Sequence, residues 1–406
     1  MSLEQQLRII VGHAYKNAPA VRERFDKAGL TPADIRSISD LDKLPVLSKD
    51  EVVIMQRQRP PFGGLLALPL HQIKHIFFSP GPLYEPDASG HDPTVIAMTQ
   101  EALRRSGFKA GDIVLNTLSY HLVPAGLLLD EALIKMGCTV VPGGVGNSDL
   151  QVEMMKELGV TGYTGTPSFL MKLIKKADKM GLSWNDFKLE KALVTAEPLP
   201  ASLRQSLEEE YGVSVGNAYA TAELGFLAIN TTGGMALSLL PAPIIQVVAP
   251  DTGKQVGPDE AGEVVITNFN NAYPLIRFGT GDMAINIDPK PGVSKQEERA
   301  IMLVGRSGEA VKVRGMFVHP NQVRFAVSQV LPFKTVQGVI TRPELRDTFI
   351  IRIVPTAPIS DLVATTTKIK ENVRQICRVK VDDVLFVAEN EVPDGSPVML
   401  DQRTWE

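Results

Sequence analysis

An eight-residue segment, SPGPLYEP at residues 79–86, follows the apolar run HIFF and is the first place where the sequence suggests chemistry. Its position after a short apolar run predicts a loop that follows a strand. Three of its residues are prolines, which fix their own backbone angles and have no N–H to donate to a ligand. Glu85 adds a negative charge that would repel phosphate groups. The residues alone leave two interpretations open, a proline-rigidified phosphate-binding loop and an ordinary turn.

The composition is typical of a globular protein, and the charge pattern lacks the clusters of basic residues that bind nucleic acids. The chain has 406 residues, of which 44% are apolar, so it can bury a large core and form one large domain and a smaller one. Acidic residues exceed basic ones by only four, 46 against 42, without long blocks of one sign. Cys138 and Cys377 are far apart, which argues against a disulfide framework or a structural zinc site. We therefore expect a cytoplasmic protein that binds no nucleic acid.

The sequence also predicts no membrane segment. Charged and polar residues interrupt the N-terminal region where a signal peptide would need an unbroken apolar stretch. The most apolar later segment, LVPAGLLLDEALI, carries Asp130 and Glu131 in its middle.

The pattern of apolar residues predicts helices first and then a sheet. The first fifty residues read as a helix followed by a loop, which covers the segment DLDKLPVLSKDEV. From about Ile113 onwards, short apolar runs alternate with helical patterns, as in VLNTL, AGLLLDEALIKMG, CTVVP, VTGYTG and TPSFLMKLIKKADKMG. This alternation predicts a parallel sheet covered by helices, with ligands at the carboxyl ends of its strands.

The last part of the chain is β-rich and ends in a smaller unit. A hairpin is predicted around residues 251–253, followed by the strand GEVVITNF. After Gly305, two helices and three strands predict a small α+β sandwich. The fold class is therefore α/β, with a large N-terminal domain over residues 1–305 that includes a β-rich subdomain. A hinge then leads to a small, mobile α+β domain over residues 306–406.

Four motifs occur in a fixed order along the chain. They are AYATAELG around Glu223, RFGTGD ending at Asp282, GRSGEAVKVRG from Gly305 to Gly315, and FVHPNQVR just after it. The ordered set resembles the adenylate-forming acyl-CoA synthetase superfamily, and specifically its phenylacetate-CoA ligase branch. The N-terminal segment AYKNAPAVRERFDKAG is similar to that branch as well, so the resemblance covers nearly the whole chain.

The resemblance implies a two-step reaction that uses ATP, Mg²⁺ and coenzyme A. A small carboxylic acid, aryl acids included, attacks the α-phosphate of ATP to give an acyl-adenylate. Coenzyme A then displaces AMP and forms a thioester. This chemistry requires a divalent cation at the phosphates and a positive charge beside the reacting carboxylate.

The resemblance also implies a nucleotide site. Glu223 matches the glutamate that reaches Mg²⁺, Asp282 the aspartate that accepts hydrogen bonds from both ribose hydroxyls, and Tyr219 the aromatic residue against adenine. The residues themselves also permit a solvated loop carboxylate, a turn-stabilising aspartate and a core tyrosine. The nucleotide-binding set as a whole is Ala196, Glu197, Pro198, Tyr219, Ala220, Thr221, Asp282 and Arg306; Arg306 alone would read as a solvent-facing arginine at a domain boundary.

Two further groups of residues follow from the resemblance. The acyl pocket is expected to use Tyr120, His121, Ala125 and Gly126, although His121 also fits a packed core histidine. Lys312 is a catalytic candidate because it lies in the loop after the hinge, which faces the active site during thioester formation.

Two departures from the family concern the first half-reaction. In the phosphate loop, Ser79 and Gly81 keep their positions, but Glu85 stands where relatives have a lysine. Relatives also carry a C-terminal lysine between the acid and the α-phosphate, and this chain has no lysine after Lys380. We therefore expect an acid–CoA ligase whose adenylation step is impaired or altered. The alternative is a non-catalytic member that binds a nucleotide or an acyl-CoA, and the resemblance is compatible with a homodimer in either case.

Overall fold

The computed structural model describes the chain except for residues 80–81, 88–89, 91, 93, 307–310, 315, 319, 344–345, 378, 394 and 404–406. The side chains of residues 261, 304–306, 312, 316–317 and 321–322 also lie outside the description. The chain divides into two compact units, Met1–Ser307 and Gly308–Glu406.

Three helices begin the N-terminal unit. They are α1 (Leu3–Asn17), α2 (Pro19–Lys27) and α3 (Lys49–Gln58). Helix α3 corrects the prediction of a loop in this region. Ser48 Oγ accepts a hydrogen bond from Glu51 N at 3.2 Å. In turn, Glu51 Oε2 accepts a hydrogen bond from Ser48 N at 2.8 Å. The Ser-Lys-Asp-Glu sequence is therefore a capping box that starts a helix.

Strands β1 (Ile76–Ser79) and β2 (Leu83–Pro86) form an antiparallel hairpin. Within the segment predicted as a loop, Ser79 and residues 83–86 thus lie in strands. Phe77, Leu83 and Glu85 are buried, whereas Tyr84 is exposed, so the side chains alternate between the two faces of β2. The prediction of a loop over residues 79–86 was wrong because this alternation was not recognised.

The central sheet of the N-terminal unit contains, among the described residues, eleven strands. Its parallel part is built in chain order from α4 (Val95–Arg105), β3 (Ile113–Asn116), α5 (Ala125–Lys135), β4 (Thr139–Val141), α6 (Ser148–Glu157), β5 (Gly162–Gly165), α7 (Pro167–Lys179), β6 (Lys191–Val194), α8 (Ala201–Gln205) and β7 (Ser214–Thr221). The antiparallel part follows with β8 (Gly225–Asn230), β9 (Leu237–Leu239), β10 (Ile244–Val248), β11 (Ala261–Thr267), β12 (Phe278–Ile287) and β13 (Ala300–Arg306).

The strand order is β10-β11-β12-β13-β9-β8-β7-β6-β5-β3-β4. Strands β4, β3, β5, β6 and β7 run parallel, and β7 then pairs antiparallel with β8. The predicted parallel sheet and β-rich region are therefore two halves of one sheet. Leu7, Ile10 and Phe25 of the first two helices are fully buried against the antiparallel half.

The C-terminal unit has the predicted α+β architecture. Its elements are β14 (Val311–Val313), β15 (Met316–Val318), α9 (Pro320–Ser328), β16 (Phe333–Thr341), β17 (Thr348–Pro355), α10 (Leu362–Cys377), β18 (Asp383–Phe386) and β19 (Met399–Asp401). Four strands form a sheet in the order β18-β17-β16-β19. The two helices pack on this sheet through a shared core, which includes Val323 of α9, Ile369 of α10 and Ile351 of β17. Within the part of the chain that the structure describes, no helix combines the length and the apolar character needed to cross a lipid bilayer.

Candidate active site

Tyr219 and Asp282, which lie 63 residues apart in sequence, are in direct contact. The Tyr219 hydroxyl donates a hydrogen bond to Asp282 Oδ2 at 2.8 Å. Tyr219 is in β7, and Asp282 is in β12, where its backbone pairs with that of Arg306 in β13. The Arg306 side chain lies outside the described residues. Two of the residues predicted to hold the nucleotide thus meet, although β13, β9 and β8 stand between β12 and β7 in the order of the sheet.

Lys49 and Glu223 form a largely buried ion pair. Lys49 Nζ lies 2.7 Å from Glu223 Oε1, and the Glu223 side chain is 4% exposed. Burial acts to raise the pKa of Glu223, but the Lys49 ammonium outweighs it and holds that pKa below its ordinary value. Glu223 is therefore an ionised, buried carboxylate, which excludes the interpretation of a solvated loop residue. Lys49 was not among the sequence-predicted site residues.

A buried arginine holds the segment before α3 against β12. Arg277, in the RFGTGD motif, donates hydrogen bonds to Leu41 O at 2.7 Å and to Leu44 O at 2.8 Å. Leu47 N in turn donates to Arg277 O at 2.7 Å. This anchor fixes where α3 begins and places Lys49, its first residue, beside the strand that carries Asp282.

Glu85 is buried rather than solvated. It lies in β2 with 5% of its surface exposed. Burial first, and the negative charge of Glu223 second, raise the pKa of Glu85 to about 8. Glu85 therefore carries a proton at neutral pH, which corrects the expectation of a repulsive charge at this position. Its place in a phosphate-binding segment stays a prediction.

Glu263 is an acidic residue of this region that sequence reasoning missed. Its Oε1 accepts a hydrogen bond from Gly281 N at 3.0 Å, one residue before Asp282. Burial raises the pKa of Glu263, and the charge of Asp282 acts in the same direction. A side chain at Gly279 would approach Glu263 Oε1 to 2.6 Å and would push the Glu263 carboxylate out of this contact. Glu263 thereby supports the backbone turn that presents Asp282.

Four buried oxygen atoms in this region fall outside hydrogen-bond geometry with the described residues, although the Ser79 hydroxyl lies near enough to Glu85, and the Thr221 hydroxyl to Glu223, to lower the pKa of each carboxyl group. They are Ser79 Oγ, Glu85 Oε1, Thr221 Oγ1 and Glu223 Oε2. Carboxylate and hydroxyl oxygens are hard ligands that suit Mg²⁺, so the donor set fits a divalent cation. The described residues contain no group of three or more His, Cys, Asp or Glu that could hold a metal ion. A cation here would complete its coordination with substrate phosphates or water.

The predicted adenine-side turn, residues 196–198, follows β6 and contacts α7. Glu197 Oε1 accepts a hydrogen bond from Ser168 N at 2.7 Å, at the first turn of the helix. Ala196 has a φ of 73°, a left-handed conformation that is uncommon for a residue with a side chain. This conformation costs on the order of 1 kcal/mol, which is typical of positions held for a functional reason.

The segment predicted as the acyl pocket precedes and begins α5. The Tyr120 hydroxyl donates to Asp130 Oδ1 at 3.0 Å and accepts from Asn116 Nδ2 at 2.8 Å. Burial and the Asp130 charge raise its pKa well above the ordinary value, so the hydroxyl stays neutral. His121 is exposed, which excludes the alternative of a packed core histidine.

We predict that Gly126→Ala destabilises the protein. Gly126 is buried in the first turn of α5, next to Ala125, and an added Cβ would lie 2.6 Å from Ser119 O and 2.9 Å from Ser119 C. Because both atoms belong to the backbone, the free energy of unfolding should fall by about 1–3 kcal/mol in denaturant titrations. Gly12→Ala is the control: Gly12 is inside α1 with open space around it, and the change should stabilise by roughly 0.5–1 kcal/mol. Equal stability of the two variants would contradict the packing described here.

The predicted residues of the C-terminal unit are only partly described. Lys312 lies in β14 and pairs with Phe317 of β15, but its side chain is outside the described residues. Arg403 Nη1 lies 3.1 Å from Asp347 Oδ2, and Arg403 Nη2 lies 2.6 Å from Asp401 Oδ2. The Asp-x-Arg sequence retained at the C-terminus therefore ties the last strand to its own unit.

Comparison with known proteins agrees with the motifs. Residues 91–272 match the family described as AMP-binding enzyme. The chain is 28% identical over 334 residues to the phenylacetate-coenzyme A ligase of Aromatoleum evansii, covering 79% of this chain and 73% of that protein. The phenylacetate-coenzyme A ligase of Thermus thermophilus is 27% identical, with 84% of this chain and 80% of the relative covered.

Solved structures share the fold. A 2-hydroxyisobutyryl-CoA ligase in complex with 2-HIB-AMP and CoA superposes with a TM-score of 0.85 and 21% identity, covering 99% of this chain and 89% of the other. A malonyl-CoA ligase has a TM-score of 0.56 and 16% identity, covering 75% and 67%. The AMP-binding match over residues 91–272 and the aligned relatives thus make the chain similar to phenylacetate-coenzyme A ligases over most of its length, and the solved structures show that it shares the fold of acyl-CoA ligases.

Proposed function

We propose that this protein is an AMP-forming acid–CoA ligase that converts a small carboxylic acid to a CoA thioester through an acyl-adenylate. The proposal is carried by one observation: the Tyr219–Asp282 contact and the Lys49–Glu223 pair lie in one N-terminal unit and are linked by electrostatic contact through Glu263. An adenylate site requires two carboxylates. One accepts hydrogen bonds from the ribose hydroxyls, and the other is buried and faces a metal ion.

In the first step, a carboxylate oxygen of the acid attacks the α-phosphorus of ATP, and the bond to pyrophosphate breaks. Asp282 accepts hydrogen bonds from the ribose hydroxyls, and Tyr219 orients Asp282 through its own hydroxyl. Glu223, with the hydroxyl oxygens of Ser79 and Thr221, would hold Mg²⁺, which neutralises phosphate charge when bound. The turn at residues 196–198 and the neighbouring Ala220 would form the surface against the adenine.

Lys49 is assigned the positive charge that adenylation needs. This chain has no lysine after Lys380, whereas the Lys49 ammonium already lies among the carboxylates of the site and lowers the pKa of Glu223. A fixed ammonium stabilises negative charge that develops on the reacting oxygens, and it does so best where water is excluded. Adenylation in this protein then uses a cation from α3 in place of one from the C-terminus.

In the second step, the sulfur of coenzyme A attacks the acyl carbonyl carbon, AMP leaves, and the thiol proton passes to solvent. We propose that residues 306–406 form the mobile domain for this step and that Lys312 faces the bound adenylate. Residues 1–305 then form the adenylate-binding domain. Tyr120, His121, Ala125 and Gly126 would line the acyl pocket, in which the exposed His121 ring supplies a polar group.

We predict that the two half-reactions differ in rate. The proline-rich β1–β2 connection offers few N–H donors for the outer phosphates, so ATP–pyrophosphate exchange should be slow. Thioester formation from a supplied acyl-adenylate should be at least about tenfold faster, because it does not use those donors. Phenylacetate, 2-hydroxyisobutyrate and malonate form a suitable first panel of acids. Rapid exchange with any of them would contradict the proposed impairment.

The same proline-rich connection favours one alternative, a non-catalytic member that binds a nucleotide or an acyl-CoA. Calorimetry with AMP, ATP and coenzyme A, followed by the acid panel, separates the two functions. Binding of AMP without thioester formation from any supplied adenylate would favour the alternative.

We further propose that the protein forms a homodimer in the cytoplasm. Leu127 and Ile134 of α5 are exposed apolar residues and would form the contact surface. Cys138 and Cys377 are both free and buried, as expected in a reducing compartment. Light scattering should give twice the monomer mass, and the double variant Leu127→Glu, Ile134→Glu should give the monomer.

A further inference from the structure

A partly buried carboxylate in α5 has no cationic partner among the described residues. Asp130 lies in the middle of this helix, whose buried residues are glycine or apolar, namely Gly126, Leu129, Ala132 and Leu133. The next residue, Glu131, forms an ion pair with Lys135, in which Oε1 and Nζ are 2.7 Å apart. Within the described part of the chain, Asp130 makes its one hydrogen bond with Tyr120. Two adjacent carboxylates thus differ, because only one of them has its charge compensated.

The Tyr120 ring lies along the face of α5 that carries Asp130. An added Cβ at Gly126 would come within 2.9 Å of Tyr120 Cδ2, so the edge of the ring packs directly against the first turn of the helix. Gly126 and Asp130 occupy positions i and i+4, which share one face of a helix. The ring therefore extends from Gly126 towards Asp130, whose Oδ1 accepts the hydrogen bond from the Tyr120 hydroxyl at 3.0 Å.

A buried asparagine fixes the direction of this hydrogen bond. The Asn116 side chain is fully buried, and its Nδ2 donates to Gly126 O at 2.9 Å and to the Tyr120 hydroxyl at 2.8 Å. The backbone oxygen of Gly126 can only accept, so the atom of Asn116 that faces it and Tyr120 is the amide nitrogen. The hydroxyl of Tyr120 must then accept from Asn116 and give its single proton to Asp130. No hydroxyl proton is left for a substrate.

The Tyr120–Asp130 pair consequently presents acceptors and a negative charge. Asp130 Oδ2 accepts no hydrogen bond from the residues that the structure describes, and an ionised carboxylate has no proton to donate. Burial, and after it the Asp130 charge, raise the pKa of Tyr120 above its ordinary value, so the hydroxyl stays neutral. A polar group that contacts this pair must therefore donate a hydrogen bond, and a cationic donor gains most because the bond is charge-assisted.

We propose that Asp130 determines which acid the protein accepts, and that this acid carries a hydrogen-bond donor, an ammonium or a hydroxyl group, at the end remote from its reacting carboxylate. The inference rests on the proposed function, which assigns Tyr120 and Gly126 to the acyl pocket. An acid with an alkyl end would cover the Asp130 carboxylate without offering it a partner, which costs free energy. A second carboxylate on the acid would be repelled by it.

The test compares acids of equal length that differ only at the remote end. The ammonium series is β-alanine, γ-aminobutyrate and δ-aminovalerate, and the alkyl series with a methyl group in place of the ammonium group is butyrate, valerate and hexanoate. The corresponding ω-hydroxy acids form the third series. For at least one length, we expect kcat/KM of thioester formation to be about tenfold or more higher for a donor-bearing acid than for its alkyl partner. Glutarate, a dicarboxylate, should be a poorer substrate than valerate.

Asp130→Asn separates the charge from the support of Tyr120. The amide oxygen of asparagine can still accept the Tyr120 hydrogen bond, so the ring keeps its place while the charge is lost. The preference for the donor-bearing acid should fall to within about twofold, and kcat/KM for the alkyl acid should change by less than about threefold. Glu131→Gln makes the same change of charge on the neighbouring carboxylate that is paired with Lys135, and as the matched control it should keep the preference of the parent protein.

Thermal unfolding shows whether each variant is folded. A folded Asp130→Asn protein that retains the full preference would overturn the inference, as would a parent protein that treats donor-bearing and alkyl acids alike at every length. Turnover without an Asp130-dependent preference contradicts the inference and leaves the proposed function standing.

If no acid is converted, the same comparison is made by calorimetry with non-hydrolysable acyl-sulfamoyl-adenosine analogues of the acyl-adenylates. An Asp130-dependent preference in binding without any turnover would contradict the proposed function and support the inference. Analogues that do not bind, or that bind without this preference, would overturn the inference.

Discussion

Lys49→Met is expected to lower ATP–pyrophosphate exchange by about 100-fold or more, because it removes the ammonium assigned to the reacting carboxylate and α-phosphate. Thioester formation from a supplied acyl-adenylate should change by less than about threefold, since the phosphoryl bond is already broken in that substrate. Measuring both half-reactions on one preparation separates a chemical effect from loss of folded protein. The ratio of the two rates is the quantity to compare.

The variant also leaves Glu223 buried without its partner at 2.7 Å. We expect a loss of stability on the order of 2 kcal/mol, below the usual cost of breaking a buried pair because Lys49 remains partly exposed. The double variant Lys49→Met, Glu223→Gln should regain much of this stability and none of the exchange activity. Lys175→Met, at an exposed position of α7, is the control and should change neither rate. Normal exchange by folded Lys49→Met would remove Lys49 from the mechanism.

The motifs singled out Tyr219 and Asp282, which the structure places in contact, and their role toward a nucleotide stays a prediction. Tyr219 and Asp282 lie in β7 and β12, which belong to one sheet but are not paired, so the order of strands alone does not predict their 2.8 Å hydrogen bond. The order of strands and helices in the middle of the chain was readable, since periodicity reports which faces are buried.

Lys49 and Glu263 were not predicted, and the reason differs for each. The capping box at residues 48–51 was a local signal for the start of α3, but nothing local says that Arg277 draws that helix onto β12. Glu263 follows the glycine of a strand that reads as an ordinary apolar run, and its role depends on the backbone N–H of Gly281. Both residues act through contacts between distant segments.

Glu85 shows the limit of reading charge from sequence. Glu85 stands where relatives have a lysine, and we therefore predicted that its carboxylate would repel phosphate. The hairpin turns the side chain inward, and burial raises its pKa to about 8, so the group is mostly neutral at pH 7. The sign of an electrostatic effect therefore depends on exposure, which the alternation of Phe77, Leu83 and Glu85 encodes only once the strand is recognised.

Asp282→Ala is expected to weaken AMP binding by about 100-fold. The resemblance implies that this carboxylate accepts hydrogen bonds from both ribose hydroxyls, and a hydrogen bond to a charged group contributes about 1.5–3 kcal/mol. Tyr219→Phe should weaken AMP binding less, by roughly fivefold, because it leaves the carboxylate in place and removes only the 2.8 Å hydrogen bond that orients it. Asp251→Asn, at an exposed turn position, is the control and should bind AMP normally in calorimetry.

A second nucleotide makes the assignment of Asp282 specific. The parent protein should bind 2′-deoxy-AMP about tenfold or more weakly than AMP, because one hydrogen bond to the charged carboxylate is lost. In Asp282→Ala, both nucleotides should bind with nearly equal affinity, since the partner of the 2′-hydroxyl is already absent. Comparing the ratio of the two affinities in the parent protein with the same ratio in Asp282→Ala isolates the ribose contact, because an effect of the substitution on folding changes both affinities alike. If 2′-deoxy-AMP remains as disfavoured in Asp282→Ala as in the parent protein, the ribose contacts another residue and the proposed orientation of the nucleotide is wrong.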